Sequence, residues 1–206
     1  MMPFYSFSSS SHIRTHSILG GQLRKLPTIL VSFRFPWGFL ALYYEVPAAL
    51  VPYMADNNNS DDNSENGIDP ALSTSEQVLA KWLQGDDDYR NERLKLIPYV
   101  AEGPWVVRNM VTGRPAIIGK RLPVSYKFLP GGGMGKHSTA KANAQPLLIC
   151  TLDIGNGSST AKRIVSVCRR YMSSLTVDIG LVIQAEDQSE LPEQMLGATR
   201  IHGPSA

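Results

Sequence analysis

Thr151-Leu152-Asp153-Ile154-Gly155 and Thr176-Val177-Asp178-Ile179-Gly180 are near-copies of one another, and between them lies the clearest amphipathic stretch of the chain. Gly155-Asn156-Gly157 breaks the first copy. Ser158 or Ser159 then offers an oxygen to the free N–H groups of a helix start. Ala161, Ile164, Val165, Cys168, Tyr171 and Met172 follow with the i, i+3, i+4 recurrence of one buried helical face. Lys162, Arg163, Arg169 and Arg170 share the opposite arc. The stretch predicts strand, helix, strand, with the helix over about 158–173. The helix dipole opposes cations near its start, so an anionic ligand would relieve Lys162 and Arg163. A solvated helix face is the plainer reading.

Working outward, β-branched and aromatic runs predict strands at 28–35 and 39–46, with Pro36-Trp37-Gly38 as the turn between them. Further strands are predicted at 93–99, 105–111, 116–118, 123–129, 147–154, 175–185 and 197–201, mostly joined by short Gly/Pro turns. A second helix is predicted over 73–84. Ser73 and Glu76 fit a capping box, Val78, Leu79, Trp82 and Leu83 form its apolar stripe, and Gly85 is the stop. Trp82 and Trp105 are expected in the core, whereas Trp37, in a turn, is a candidate for a membrane interface. Many strands with two main helices predict an α+β domain dominated by antiparallel pairing.

Residues 27–206 are expected to form that domain. Residues 1–26 are Ser-rich, basic and free of acids. They read as a disordered leader, with organelle targeting the alternative. A disordered acidic loop is expected over 55–72 and a flexible Gly-rich loop over 130–146. The run from Leu26 to Met54 is interrupted by Arg34, Glu45 and prolines and does not read as a transmembrane segment. Cys150 and Cys168 belong to no CxxC motif and read as buried thiols in a reducing compartment.

The net charge of +2 conceals a segregation. Between Asp56 and Glu92, ten acids face only Lys81 and Arg90, whereas between Arg93 and Leu175, thirteen bases face only Glu102 and Asp153. The basic block either attracts phosphate-bearing partners or faces the acidic segment within the fold.

Few residues suggest chemistry. Gly131-Gly132-Gly133-Met134-Gly135-Lys136-His137 is no phosphate loop, because Pro130 and His137 stand where a glycine and a Ser/Thr are needed. Ser158 and Ser159 lack the glycine frame of a nucleophile elbow. Asp153 and Asp178, in strands flanking one helix, are candidate paired carboxylates for a cation or for acid–base work, against solvent-facing or capping roles. No cofactor and no metal are expected.

Gly85-Asp86-Asp87-Asp88-Tyr89-Arg90-Asn91-Glu92-Arg93-Leu94-Lys95-Leu96-Ile97-Pro98 resembles a stretch of the plant Enhanced Disease Resistance 2 C-terminal domain family. So do Val100-Ala101-Glu102-Gly103-Pro104-Trp105-Val106-Val107, Leu152-Asp153-Ile154-Gly155 with Ser158-Ser159, Val177-Asp178, and Leu191-Pro192-Glu193-Gln194-Met195-Leu196-Gly197. Two departures stand out. The family normally has a further portion before the Val31 strand, so the chain reads as a truncated copy, and 130–146 is longer than the turn expected there. In that family the domain often follows pleckstrin-homology and START lipid-transfer domains. The resemblance therefore implies association with lipid-handling, membrane-peripheral proteins and implies no chemistry. The expected function is a non-catalytic, cytoplasmic domain that contacts anionic headgroups through Lys120, Arg121, Lys162, Arg163, Arg169 and Arg170. The alternatives are an enzyme using Asp153 and Asp178, and a nucleic-acid or protein interaction module. Nucleic acid is disfavoured because no aromatics are interleaved with the bases for stacking.

Overall fold

The computed structural model describes residues 24–54, 67–132 and 143–203, together with the backbone of Phe4–Ser8. In chain order the strands are β1 (Phe4–Ser8), β2 (Thr28–Phe35), β3 (Gly38–Glu45), β4 (Leu94–Glu102), β5 (Ala116–Ile117), β6 (Val124–Leu129), β7 (Leu147–Asp153), β8 (Thr176–Ile183) and β9 (Met195–His202). The helices are α1 (Thr74–Gln84), α2 (Asp87–Arg93), α3 (Trp105–Val111) and α4 (Ser159–Arg170). Two sheets result, one of order β1-β3-β2-β7-β6 and one of order β5-β4-β8-β9. Only β2 and β7 pair in parallel among the described strands. The fold is α+β with mostly antiparallel sheets, as the strand spacing predicts, and the two expected helices, α1 and α4, are the longest at 11 and 12 residues.

The first sheet is buried on both faces. Ile29, Val31 and Phe33 of β2 join Leu42, Cys150, Leu181, Ile183 and Trp82 in the main core. Leu30 points the other way and clusters with Ala41, Tyr43 and Leu147. That two-sided burial is why β2 reads as one continuous apolar run.

Four expectations need correction. Residues 105–111 form α3, not a strand. Val107 and Arg108 donate N–H groups to the Pro104 carbonyl, and only Val107 is buried, so one helical face at Val107 and Val111 packs on Val100 and Leu175. Tertiary packing there overrides the β-preference of the valines. The two copies of the repeat, which carry the candidate pair Asp153 and Asp178, lie in different sheets, since β7 belongs to the first sheet and β8 to the second, with α4 crossing between them. Part of the leader, Phe4–Ser8, forms β1, because β3 would otherwise end the sheet with open ladder groups on that side. Residues 67–72 of the predicted acidic loop are held in place: the Asp69 N–H donates to the Tyr53 hydroxyl at 3.0 Å, and Ile68 and Leu72 pack on the core. Residues 55–66 and 133–142 of the two predicted loops lie outside the described residues.

Helix α2 carries the densest set of tertiary bonds. Asp86 caps it, accepting the Tyr89 N–H at 2.8 Å. Arg90, 4% exposed, donates to the Trp82 and Leu83 carbonyls at 3.3 and 2.8 Å, so it closes the C-terminus of α1. Its guanidinium also lies 5.4 Å from the centre of the Tyr126 ring on β6. Arg93 turns to the second sheet and donates to Glu190 and Glu186, each at 2.8 Å. The motif that suggested a family is thus a structural clamp.

Two outcomes follow from this packing. A Cβ at Gly197 would overlap the Tyr44 ring, which is fully buried, so Gly197→Ala lowers stability by about 1–3 kcal/mol in urea unfolding. Burial alone would raise the Glu190 pKa, but bonds from the Glu186 N–H, Arg93 and Lys81 outweigh it and bring the value from 4.5 down to about 2. The stabilisation from ionised Glu190 is complete above about pH 4.5 and is lost as pH falls toward about 2. Unfolding curves across that range should show the loss. Glu190→Gln should flatten the pH dependence while costing about 3 kcal/mol at neutral pH, because buried Arg93 keeps only the half-exposed Glu186 as counter-charge.

Candidate functional site

Helix α4 lies on the surface of the fold. Ser158 is its cap, the hydroxyl oxygen accepting the Ala161 N–H at 3.2 Å. Val165 packs on the main core, and Val167 and Cys168 pack on the small cluster of Val100, Val107 and Leu175. No residue of the helix is fully buried. Tyr171, expected on the apolar face, lies beyond the last helical residue and is 36% exposed.

Lys162, Arg163, Arg169 and Arg170 are exposed, and none has an ion-pair partner among the described residues. The described acids of the 56–92 segment therefore form no ion pair with them. Lys120 and Arg121 are exposed in the turn after β5. Leu122 touches the backbone of Gly157 so closely that a Cβ there would overlap it, which brings the turn against the entry of α4. The turn that carries Lys120 and Arg121 thus abuts the entry of α4, and the other four predicted bases are spaced along that helix, about 18 Å long.

Two tryptophans change roles. Trp37 is half-buried: its ring stacks on Phe35 at 5.5 Å, and the Arg169 guanidinium lies 4.6 Å from its centre. It is therefore covered, and no free wedge for a membrane. Trp105, expected in the core, is 75% exposed on the first turn of α3, which lies beside α4. Val106 and Arg108 are exposed with it. The sequence held a usable signal: Pro104 precedes a run in which Val107 and Val111 stand at helical spacing, which leaves Trp105 on the outer side.

The carboxylate pair does not form. Asp153 closes the turn after β7, its two oxygens accepting the Asn156 N–H at 3.1 Å and the Asn156 side-chain amide at 2.8 Å. Asp178, in the other sheet, is bidentate with its cross-strand neighbour Arg200 at 2.6 and 2.7 Å. That bond holds the Asp178 carboxyl below its usual range. Both acids have local structural partners. Cys150 is fully buried, which pushes its thiol up to about 12, and burial also raises the Cys168 thiol; both are free. At the base of the Gly-rich loop the Gly132 N–H donates to the Ala144 carbonyl at 2.6 Å, and Arg24 donates to the Gln145 and Pro130 carbonyls. Lys136 and His137 lie outside the described residues. Among the described residues, no group of three or more His, Cys, Asp or Glu side chains is placed to hold a metal ion, and no helix is long and apolar enough to cross a membrane.

Comparison with known proteins adds a family. The family model described as "Protein ENHANCED DISEASE RESISTANCE 2, C-terminal" matches residues 6–203. A protein of Arabidopsis thaliana described as "Protein ENHANCED DISEASE RESISTANCE 2-like" is 32% identical over 125 residues, 60% of this chain. The matched region is 15% of that protein, so the chain spans a small fraction of its relative's length. No solved structure matches the chain.

Because Ser158 is the cap of a helix with no buried residue, Ser158→Ala should cost about 1 kcal/mol and act locally. Hydrogen exchange should show faster exchange across α4 and unchanged protection in β2 and β7.

Proposed function

Since the chain belongs to the family described as Protein ENHANCED DISEASE RESISTANCE 2, C-terminal, we propose that it is a non-catalytic, cytoplasmic domain that docks peripherally on anionic membrane surfaces. The contact surface is the region of α4 and the turn after β5. The observation that supports this reading is the row of exposed α4 cations without ion-pair partners among the described residues, beside the exposed Trp105 of α3. Each basic residue near an anionic surface contributes about 1 kcal/mol, and salt screens that attraction. An exposed tryptophan suits the headgroup level, where one side of the ring is apolar and the N–H stays wet. Free cysteines suit the reducing compartment that faces the anionic leaflet.

The test is co-sedimentation of the full chain with vesicles of phosphatidylcholine alone and with added phosphatidylserine, over a salt series. Binding should require the anionic lipid and weaken roughly tenfold or more as salt rises through the physiological range. Reversal of two α4 charges, Arg163→Glu with Arg170→Glu, should remove most of it. Trp105→Ser should weaken vesicle binding and leave retention on a soluble polyanion such as heparin unchanged. Equal binding to neutral vesicles, or a response flat in salt, overturns the proposal.

A further inference from the structure

Charge of the opposite sign collects at a different place. Between the end of β3, helix α1 and the start of β9 lies a cavity of about 180 Å³ that shares no lining residue with the basic region. Its walls are the buried aliphatic side chains of Ile29, Val46, Leu50, Val78, Ile183 and Leu196. Glu45, Glu76, Glu190 and Glu193 also line it, and no lysine, arginine or histidine does. Glu190 is answered by Arg93 and Lys81, and Glu193 by Lys95. Glu45 and Glu76 have no ion-pair partner among the described residues. Glu76 spends one oxygen on its helix cap, accepting from the Ser73 N–H at 2.9 Å and the Ser73 hydroxyl at 2.6 Å, and keeps the other.

Size and sign restrict the occupant. The volume falls below the roughly 300–1,000 Å³ of pockets that enclose whole small ligands. It suits one large apolar side chain and is too small for an acyl tail. The uncompensated carboxylates repel phosphates and attract cations. The mouth adds Met195, 58% exposed and adaptable in shape. β9 is also an edge strand among the described residues, so extended chain can lie along it and present alternate side chains.

We propose that this cavity docks an extended segment of a protein partner in which one large apolar side chain is flanked by lysines or arginines. The apolar group enters the aliphatic cavity, and the flanking cations meet Glu45 and Glu76. The site is independent of the membrane surface around α4, and the domain can hold a basic partner on one side while lying on an anionic surface with another.

The experiment is fluorescence anisotropy of the full chain with labelled Lys-Lys-Phe-Lys-Lys, Lys-Lys-Gly-Lys-Lys and Glu-Glu-Phe-Glu-Glu peptides. The first should bind saturably, the second at least about tenfold more weakly, and the third not at all. Leu79→Trp, which fills the cavity from α1, should remove the preference for Phe over Gly. Ser75→Phe does the same from the neighbouring turn, should the first variant fail to melt like the native chain. Glu45→Gln, at an exposed position, should weaken the first peptide about three- to tenfold. Equal affinity for the Phe and Gly peptides overturns the proposal, as does a folded cavity-filled variant with unchanged affinity. Competition by phenethylamine alone, at the affinity of the whole peptide, would assign the cavity to small amines and overturn the peptide reading.

Discussion

A buried guanidinium must find partners for all its N–H groups or cost the fold several kcal/mol, and this protein buries two of them on one short helix. Arg90 and Arg93 find their partners only if several elements arrive in the right places, and even then the Arg93 Nε–H has none among the described residues. Arg90 needs the last turn of α1 and the Tyr126 ring of the first sheet. Arg93 needs the segment between β8 and β9, which supplies Glu186 and Glu190. One seven-residue helix therefore specifies how α1, the first sheet and the second sheet meet. The chain on either side conforms to it. Gly85 has no room for a Cβ against Tyr89, and Gly119 has none against Asn91, whose side-chain oxygen accepts the Tyr126 hydroxyl. The Arg93–Glu190 bond also fixes one wall of the acidic cavity.

The two charged regions follow from this arrangement. Asp87, Glu186, Glu190 and Glu193, on α2 and the β8–β9 connection, are consumed by the clamp, by Lys81 and by Lys95. They are not available to answer α4, which crosses between the sheets and keeps its bases in solvent. Among the described residues, ion pairs thus gather around the clamp, whereas α4 carries its bases unpaired. The carboxylates that look reactive in sequence have the quieter roles of closing a turn and pairing across a ladder.

Much of the architecture was legible from residue pattern. Apart from β1, the strands of the first sheet follow from β-branched and aromatic runs, and both long helices follow from caps and stripes, because these are local signals that tertiary packing reinforced. Residues 105–111 were not legible as a helix from composition, since Val-Val-Arg-Asn-Met-Val favours strand and only contact with Val100 and Leu175 decides otherwise. The meeting of Asp153 with Asp178 failed for a related reason: helical connection between two strands suggests one sheet, but the connection here changes sheets. The exposure of the α4 bases was legible because exposed charge on a helix face depends on spacing alone. That of their aromatic companion, Trp105, was not, because large aromatics are buried by default and only the orientation of α3 turns this one outward.

The parallel ladder of β2 with β7 pairs Thr28 with Leu147 and Val31 with Cys150. On a ribosome, β2 and β3 emerge long before their neighbour exists. At about 5–20 residues per second, the wait is on the order of ten seconds. Throughout it a hairpin with apolar side chains on both faces stands with an open edge, the form most prone to pairing with another nascent chain. The position of one strand in the chain thus sets how long that edge stays open during synthesis.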